Sequence, residues 1–237
     1  MTVAPEASAQ DGRALLEKCS LFSGLEAETR RQLSGLAHRR TYAARDVIFH
    51  LGSPGQSMMA VIKGTVRITV PSPQGKEIVL ADLPTGSVFG EIALLDGRER
   101  TADAVALTNC ELMVLERRDV VPLLERHSAI CLKLLEVLCD RLRGADERIT
   151  DIAFFELPVR LAKVLLRTSV KSTKRGPGDP AAKVSLSQRE LGSMIGATRE
   201  AVNRCLQQWQ RREIVRLKEG WIMILAPEAL EEIAGLA

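Results

Sequence analysis

Between residues 45 and 116, short apolar runs alternate with Gly and Pro. The runs are Val47-Ile48-Phe49, Met58-Met59-Ala60-Val61-Ile62, Val66-Arg67-Ile68-Thr69-Val70, Glu77-Ile78-Val79-Leu80 and Leu112-Met113-Val114-Leu115. Gly52, Pro54-Gly55, Gly64, Pro71, Pro73, Gly75, Pro84 and Gly86 punctuate them, the signature of strands closed by tight turns. Several strands at short spacing predict a sandwich or barrel. Ahead of them, residues 14–36 read as helical.

A different period follows. Ser128 is placed to cap a helix that no Pro interrupts before Pro158. Its apolar positions, Cys131, Leu135, Leu138, Leu142, Ala145, Ile149 and Ile152, are spaced alternately four and three apart. That is an a/d seam, which predicts pairing with a second helix and hence a dimer. Beyond it, 157–170 reads as helix and 171–183 as a loop rich in Lys, Gly and Pro. Ser187-Gln188-Arg189-Glu190 is a capping box opening a helix at 191–195. Gly196 makes a turn, and Thr198 caps a second helix at 199–210. Segments 214–217 and 221–225 flank a tight Lys218-Glu219-Gly220 turn. Helix, turn, helix and hairpin together form a winged helix-turn-helix, which presents its second helix to the DNA major groove.

Composition narrows the class. With 237 residues, 46% of them hydrophobic, the chain has enough apolar surface for one or two cored domains, which excludes a disordered chain. No stretch approaches the roughly 20 apolar residues of a membrane span. No basic start precedes an apolar run at the N-terminus, so a cytoplasmic protein is expected. The five cysteines, Cys19, Cys110, Cys131, Cys139 and Cys205, contain no CxxC, and only His38, His50 and His127 are available as imidazole ligands. Reduced, mostly buried thiols and no dedicated metal site are expected. From Phe154 onward 14 Lys/Arg stand against nine Asp/Glu, while the rest of the chain is slightly acidic. A basic C-terminal third suits a polyanion. Aromatics at 3% make base stacking on single strands a poor expectation.

The sharpest motif is Phe89-Gly90-Glu91-Ile92-Ala93-Leu94, continued by Leu95-Asp96-Gly97-Arg98-Glu99 and Arg100-Thr101-Ala102. Arg100 offers a planar fork of donors for two parallel charge-assisted bonds to an anion. Thr101 adds a hydroxyl and a backbone N–H, and Gly90 permits close backbone approach. Here the sequence resembles the cyclic-AMP receptor and FNR (Crp/Fnr) superfamily of transcription regulators. Phe49-His50-Leu51-Gly52 and Val61-Ile62-Lys63-Gly64 match the same family, and the likeness runs from about Leu21 to Leu225.

The resemblance implies an α+β chain: an N-terminal jelly-roll-like β-roll that binds a cyclic nucleotide (1–126), a dimerisation helix (127–153) and a winged helix-turn-helix (154–237). It implies that Glu91 accepts the ribose 2′-OH and that Gly90, Ile92, Ala93, Arg100 and Thr101 complete the phosphate cradle. Where the family places Thr and Ser against adenine, this chain aligns Ala145 and Asp146. A carboxylate only accepts hydrogen bonds, and guanine offers N1–H and N2–H₂ side by side where adenine offers one amino group. Cyclic AMP and cyclic GMP therefore both stand. Iron–sulfur relatives carry clustered N-terminal cysteines, whereas Cys19 stands alone. A haem relative needs an axial His, and His50 reads as structural. No haem, iron–sulfur cluster or metal is expected.

Thr198-Arg199-Glu200-Ala201-Val202-Asn203-Arg204 resembles the family's recognition helix. Arg reads guanine through O6 and N7, and Glu accepts from the cytosine amino group. Arg199, Glu200 and Arg204 are the expected base readers, with Thr198 and Asn203 beside them. Ser187, Gln188, Arg189 and Lys218 are the expected phosphate contacts. The implied protein is a homodimeric regulator of a two-fold site resembling TGTGA-N6-TCACA, partnered with RNA polymerase. The hinge is expected at Ala153-Phe154-Phe155-Glu156. Two rival readings differ in class. One is a redox-responsive regulator using Cys131 and Cys139 with a vestigial pocket. The other is a nucleotide-hydrolysing enzyme, which lacks a metal cluster or a general-base histidine near the cassette.

Overall fold

The computed structural model describes residues 26–71, 77–171, 182–218 and 220–236. The chain divides into two compact units, Met1–Leu142 and Arg143–Ala237. In the first, α1 (Ala27–Leu36) precedes strands β1 (His38–Tyr42), β2 (Val47–Phe49), β3 (Ser57–Lys63), β4 (Thr65–Pro71), β5 (Glu77–Pro84) and β6 (Val88–Phe89). Helix α2 (Glu91–Asp96), strands β7 (Asp103–Ala106) and β8 (Cys110–Glu116), and α3 (Arg117–Arg126) follow. The strands make two antiparallel sheets, ordered β1-β8-β3-β6 and β2-β7-β4-β5.

The unbroken apolar run of β3 has a direct cause: both faces of the strand are covered. Met59 and Val61 point to the interior between the sheets with Val66, Phe89, Ala104, Leu112 and Val114. Met58, Ala60 and Ile62 point the other way, with Met113 and Leu115, against Leu33, Leu94, Val120 and Leu123 of the helices. The long helix α4 (Ser128–Phe154) adds Ile130 and Leu134 to that second core.

The second unit contains α5 (Leu157–Thr168), β9 (Val170–Lys171), β10 (Ala182–Val184), α6 (Gln188–Ile195), α7 (Arg199–Arg211), β11 (Val215–Lys218), β12 (Trp221–Ile224) and α8 (Pro227–Ala234). One core unites Leu161 and Leu165 of α5, Leu191 and Ile195 of α6, Val202, Leu206 and Trp209 of α7, and Ile222 and Ile224 of the hairpin. The hairpin belongs to a four-stranded sheet ordered β11-β12-β10-β9. No helix among the described residues is long and apolar enough to cross a membrane.

Several expectations need correction. The helix expected at 157–170 ends at Thr168, and Val170 turns into β9, where it pairs with Lys183. The loop expected at 171–183 is bounded by strand residues, its middle lying outside the described residues, as do residues 14–25 and Glu219. Ser128 is the first helical residue of α4 rather than a cap beyond it. The seam is open over most of its length: Leu135, Leu142, Ala145, Ile149 and Ile152 are exposed and Leu138 is half-buried, and only its first residue turns inward. Cys131 is half-buried and its thiol donates to the Leu124 carbonyl at 3.2 Å, so it faces its own domain. Leu132 and Cys139 join Leu135, Leu142 and Ile149 on the open side of α4, the four aliphatic residues being 54–66% exposed.

Candidate functional site

Strand β6 delivers the cassette. Phe89 is buried, and Gly90 turns the chain with φ +78 and ψ 5 into α2. That left-handed turn is strained for a residue with a Cβ. A Cβ at Gly90 would also lie 2.7 Å from Arg100 Nη1. Arg100 then returns to the β2–β3 loop: its N–H donates to the Ser53 carbonyl, and its own carbonyl accepts from Gly52 N–H, both at 2.8 Å. Gly55 makes this approach possible, since a Cβ there would overlap the Ala93 Cβ at 2.1 Å.

Arg100 is 4% exposed. Its Nη1 donates to the Gly90 carbonyl at 2.9 Å and its Nη2 to Ser57 Oγ at 3.1 Å. The guanidinium carbon lies 4.3 Å from the centroid of the Phe49 ring. Its Nε is buried without a hydrogen-bond partner. Among the described residues no carboxylate forms an ion pair with it. Burial pulls its pKa down, and the more distant charges of Glu91 and Glu116 offset only part of that.

Glu91 is fully buried. Arg141 of α4 brings Nη1 to 2.7 Å from Glu91 Oε1 and donates from Nη2 to the Val88 carbonyl. The Arg141–Glu91 approach is off the line of a hydrogen bond, so both carboxylate oxygens lack hydrogen-bond partners. Burial raises the Glu91 pKa, opposed chiefly by Arg141. Gly90, Glu91, Ile92, Ala93, Arg100 and Thr101 line one cavity of about 40 Å³. Phe49, Ile68 and Arg141 also line it, and the sequence reading did not assign them to the site. The residues suit a phosphorylated ribose: an orphaned buried guanidinium nitrogen, a buried carboxylate paired with Arg141, and a backbone cradle that a Cβ would fill.

Ala145 and Asp146 are exposed and belong to the second unit. Asp146 borders a surface hollow with Arg143, Glu147, Thr150, Asp151, Lys163 and Arg167. Near it Lys163 Nζ sits 2.6 Å from Asp151 Oδ1 and 3.9 Å from the Phe155 ring centroid, tying the end of α4 to α5.

A second candidate surface lies on the helix-turn-helix. Ser187 Oγ accepts from Glu190 N–H at 3.2 Å, and the Glu190 carboxylate accepts from Ser187 N–H at 2.9 Å, completing the capping box. Thr198 Oγ1 accepts from Ala201 N–H at 3.2 Å and caps α7. Val202, Cys205, Leu206 and Trp209 bury one face of α7, which leaves Arg199, Glu200 and Arg204 exposed and Asn203 half-buried. Glu200's own backbone N–H and the Thr198 hydroxyl hold its carboxyl below the usual range. It therefore stays an acceptor. Ser187, Gln188, Arg189, Arg199 and Lys218 border one groove of about 610 Å³, together with Trp221. Trp221 also went unread in the sequence; Lys183 Nζ lies 4.5 Å over its ring.

His50 follows β2 and is largely exposed, with Nδ1 3.4 Å from Asp103 Oδ1. Cys131 and Cys139 are eight residues apart on one helix, about 12 Å along its axis, too far to pair within a chain.

Two family models match. The cyclic nucleotide-binding domain covers residues 39–127, and the Crp-like helix-turn-helix domain covers residues 159–233. The cyclic AMP receptor protein of Thermus thermophilus is 36% identical over 92% of this chain and 98% of its own length. A CRP-like cAMP-activated global transcriptional regulator of Mycobacterium tuberculosis is 27% identical over 91% of this chain and 96% of its own. Among solved structures, the Thermus thermophilus catabolite activator protein aligns with TM-score 0.53 and 35% identity, over 92% of this chain and all of that one. The c-di-GMP-responsive global regulator CLP of Xanthomonas campestris shares the fold with TM-score 0.75 at 23% identity, over 84% of this chain and 99% of that one.

Proposed function

The chain belongs to the Crp/Fnr family of DNA-binding transcription regulators, and from that premise we propose that it is a homodimer whose affinity for DNA is set by a cyclic nucleotide. The observation that carries the ligand reading is Arg100: a buried guanidinium with an orphaned Nε and no paired carboxylate, sharing a cavity with Glu91. The two groups divide the work. Arg100 and Thr101 take the cyclic phosphate, the Gly90–Ala93 backbone cradles it, and Glu91 accepts the ribose 2′-OH. Arg141 stands on α4 and faces Glu91, so ribose capture bears directly on that helix. A 1:99 to 99:1 switch needs the ligand to favour the DNA-competent state by about 5.5 kcal/mol.

Cyclic AMP is the first ligand to test, because the relatives carry it in their names. Asp146 is the residue proposed to favour guanine, since its carboxylate matches N1–H and N2–H₂ and meets the adenine N1 lone pair unfavourably. On DNA, Arg199, Glu200 and Arg204 read bases with Thr198 and Asn203 alongside. Ser187, Gln188, Arg189 and Lys218 hold phosphates of a palindrome resembling TGTGA-N6-TCACA. RNA polymerase is the partner by family likeness. The open apolar line of α4 is the dimer seam.

Calorimetry with cyclic AMP, cyclic GMP and cyclic di-GMP tests the ligand. Wild type should bind one of the mononucleotides, and Arg100→Leu should lose about 2–5 kcal/mol of affinity while remaining folded. An Arg100→Leu affinity within about threefold of wild type refutes the phosphate assignment. Asp146→Ser decides the base: an unchanged ratio of the two affinities places base choice elsewhere.

A further inference from the structure

We propose that Phe49 is the positioning residue for the phosphate-binding arginine: its ring face holds the Arg100 guanidinium in place and supports its charge, so that Phe49 sets ligand affinity through Arg100. This rests on the ligand reading above.

A buried cation is costly unless something compensates it. Two neutral oxygens, of Gly90 and Ser57, hold the Nη ends of Arg100, while Nε has no partner. An adjacent carboxylate would compensate the charge, but it would also occupy the donors and compete with an incoming phosphate. An aromatic face avoids that conflict. Its quadrupole attracts the cation from the side and consumes no N–H. The Phe49 ring, 4.3 Å from the guanidinium carbon, is placed to do this.

The ring is itself fixed. Phe49 closes β2, paired with Ala104 of β7. Its ring packs on that of Phe89, with centroids 5.8 Å apart and planes tilted 36°. Phe89 is buried and immediately precedes Gly90, whose carbonyl accepts from Arg100. Phe89, Phe49, Arg100 and Gly90 thus form a closed circuit, in which the hydrogen bonds restrain the Nη ends and the ring restrains the carbon between them. Arg side chains lose substantial rotamer freedom when ordered. An arginine restrained before the phosphate arrives loses less on binding.

The test replaces Phe49 site-specifically with 4-fluoro-, 3,5-difluoro- and 3,4,5-trifluorophenylalanine, which weaken the ring quadrupole stepwise and barely change its volume. Urea unfolding without nucleotide is measured in wild-type and Arg100→Leu backgrounds, and calorimetric affinity for cyclic AMP and cyclic GMP in the wild-type background. The unfolding constant should rise stepwise, by about tenfold at the trifluoro ring, and stay flat in Arg100→Leu. Affinity should fall in step by about the same factor. A flat series, or an equal slope with and without Arg100, makes the ring mere packing and overturns the proposal. Sloped unfolding with flat affinity overturns the positioning role. If Arg100→Leu does not fold, the wild-type background series decides alone. A wild-type chain that binds neither nucleotide refutes the ligand reading before any Phe49 variant is made, and the positioning role falls with it.

Discussion

Gly90→Ala separates backbone strain from ligand chemistry at one position. The glycine has φ +78, where a residue bearing Cβ costs roughly 1–2 kcal/mol. The added Cβ would stand 2.7 Å from Arg100 Nη1 and 3.2 Å from the Ser57 carbonyl. The carbonyl belongs to a sheet strand and cannot yield, so the guanidinium must. Moving it breaks or lengthens its 2.9 Å bond to the Gly90 carbonyl, and hydrogen bonds from charged groups contribute about 1.5–3 kcal/mol. Partial relaxation leaves a total of about 2–4 kcal/mol in stability by urea unfolding. Affinity for the cyclic nucleotide should fall by at least about tenfold, or 1.4 kcal/mol, in calorimetry on the still-folded chain. Stability and affinity both at wild-type values would show that neither the turn nor the guanidinium is as constrained as described. Lost stability with intact affinity would detach Arg100 from the ligand.

Arg199→Ala should cost roughly 1–3 kcal/mol of DNA affinity and relax the preference for one G·C pair in a binding-site selection; uniform loss across sequences would make Arg199 a phosphate contact. Leu142→Glu, placing a charge in the middle of the open apolar line of α4, should shift sedimentation toward monomer, and an unaltered dimer would place the interface elsewhere. Glu91 has a pKa raised above its ordinary 4.5, so the folded chain takes up this proton before the unfolded chain does. Its contribution to stability therefore grows as pH falls through the raised value and levels off below about 4.5. The difference between wild type and Glu91→Gln, followed by chemical unfolding across pH, should show that slope. Cys205, buried and pushed up to about 11, should resist alkylation at about pH 8 in the folded chain and react once urea unfolds it, as peptide mapping by mass spectrometry would report.

What was legible in the sequence followed local chemistry. The capping box at Ser187, the left-handed turn at Gly196 and the cap at Thr198 are short-range hydrogen-bonding devices, and they stand where their residue types place them. The cassette was legible because glycine, carboxylate and arginine fall within a dozen residues. Arg141 was not, because it reaches Glu91 across 50 positions. A signal existed nonetheless: it continues the inward line of Leu134 and Leu138, where a cation has no reason to stand unless it meets an acid. Phe49 reads as an ordinary strand residue until the pairing of β2 with β7 sets it beside Arg100. Strand β1 escaped because His38-Arg39-Arg40-Thr41 is polar on both faces at a sheet edge. Strand β9 is two residues long, too short for any period. Helix α8, with Pro227 in its first turn and Glu228 beside it, carried a readable start signal that went unread. At the head of the seam, periodicity alone could not tell that α4 turns Cys131 toward its own domain, beside Ile130 and Leu134.

The two-sided burial of β3 and β8 bears on how this domain can diversify. A strand with one wet face tolerates polar exchange at every second position, but Met58 to Ile62 and Leu112 to Leu115 have no wet face. A saturation map of the chain should show them as solid blocks of intolerance rather than a striped pattern. New ligand preferences must then arise in residues that hang from this scaffold, such as Ile68, Ile92 and Thr101, which remain partly open. The frame of the pocket then tolerates little change, and its inner surface is where substitutions can alter what it holds.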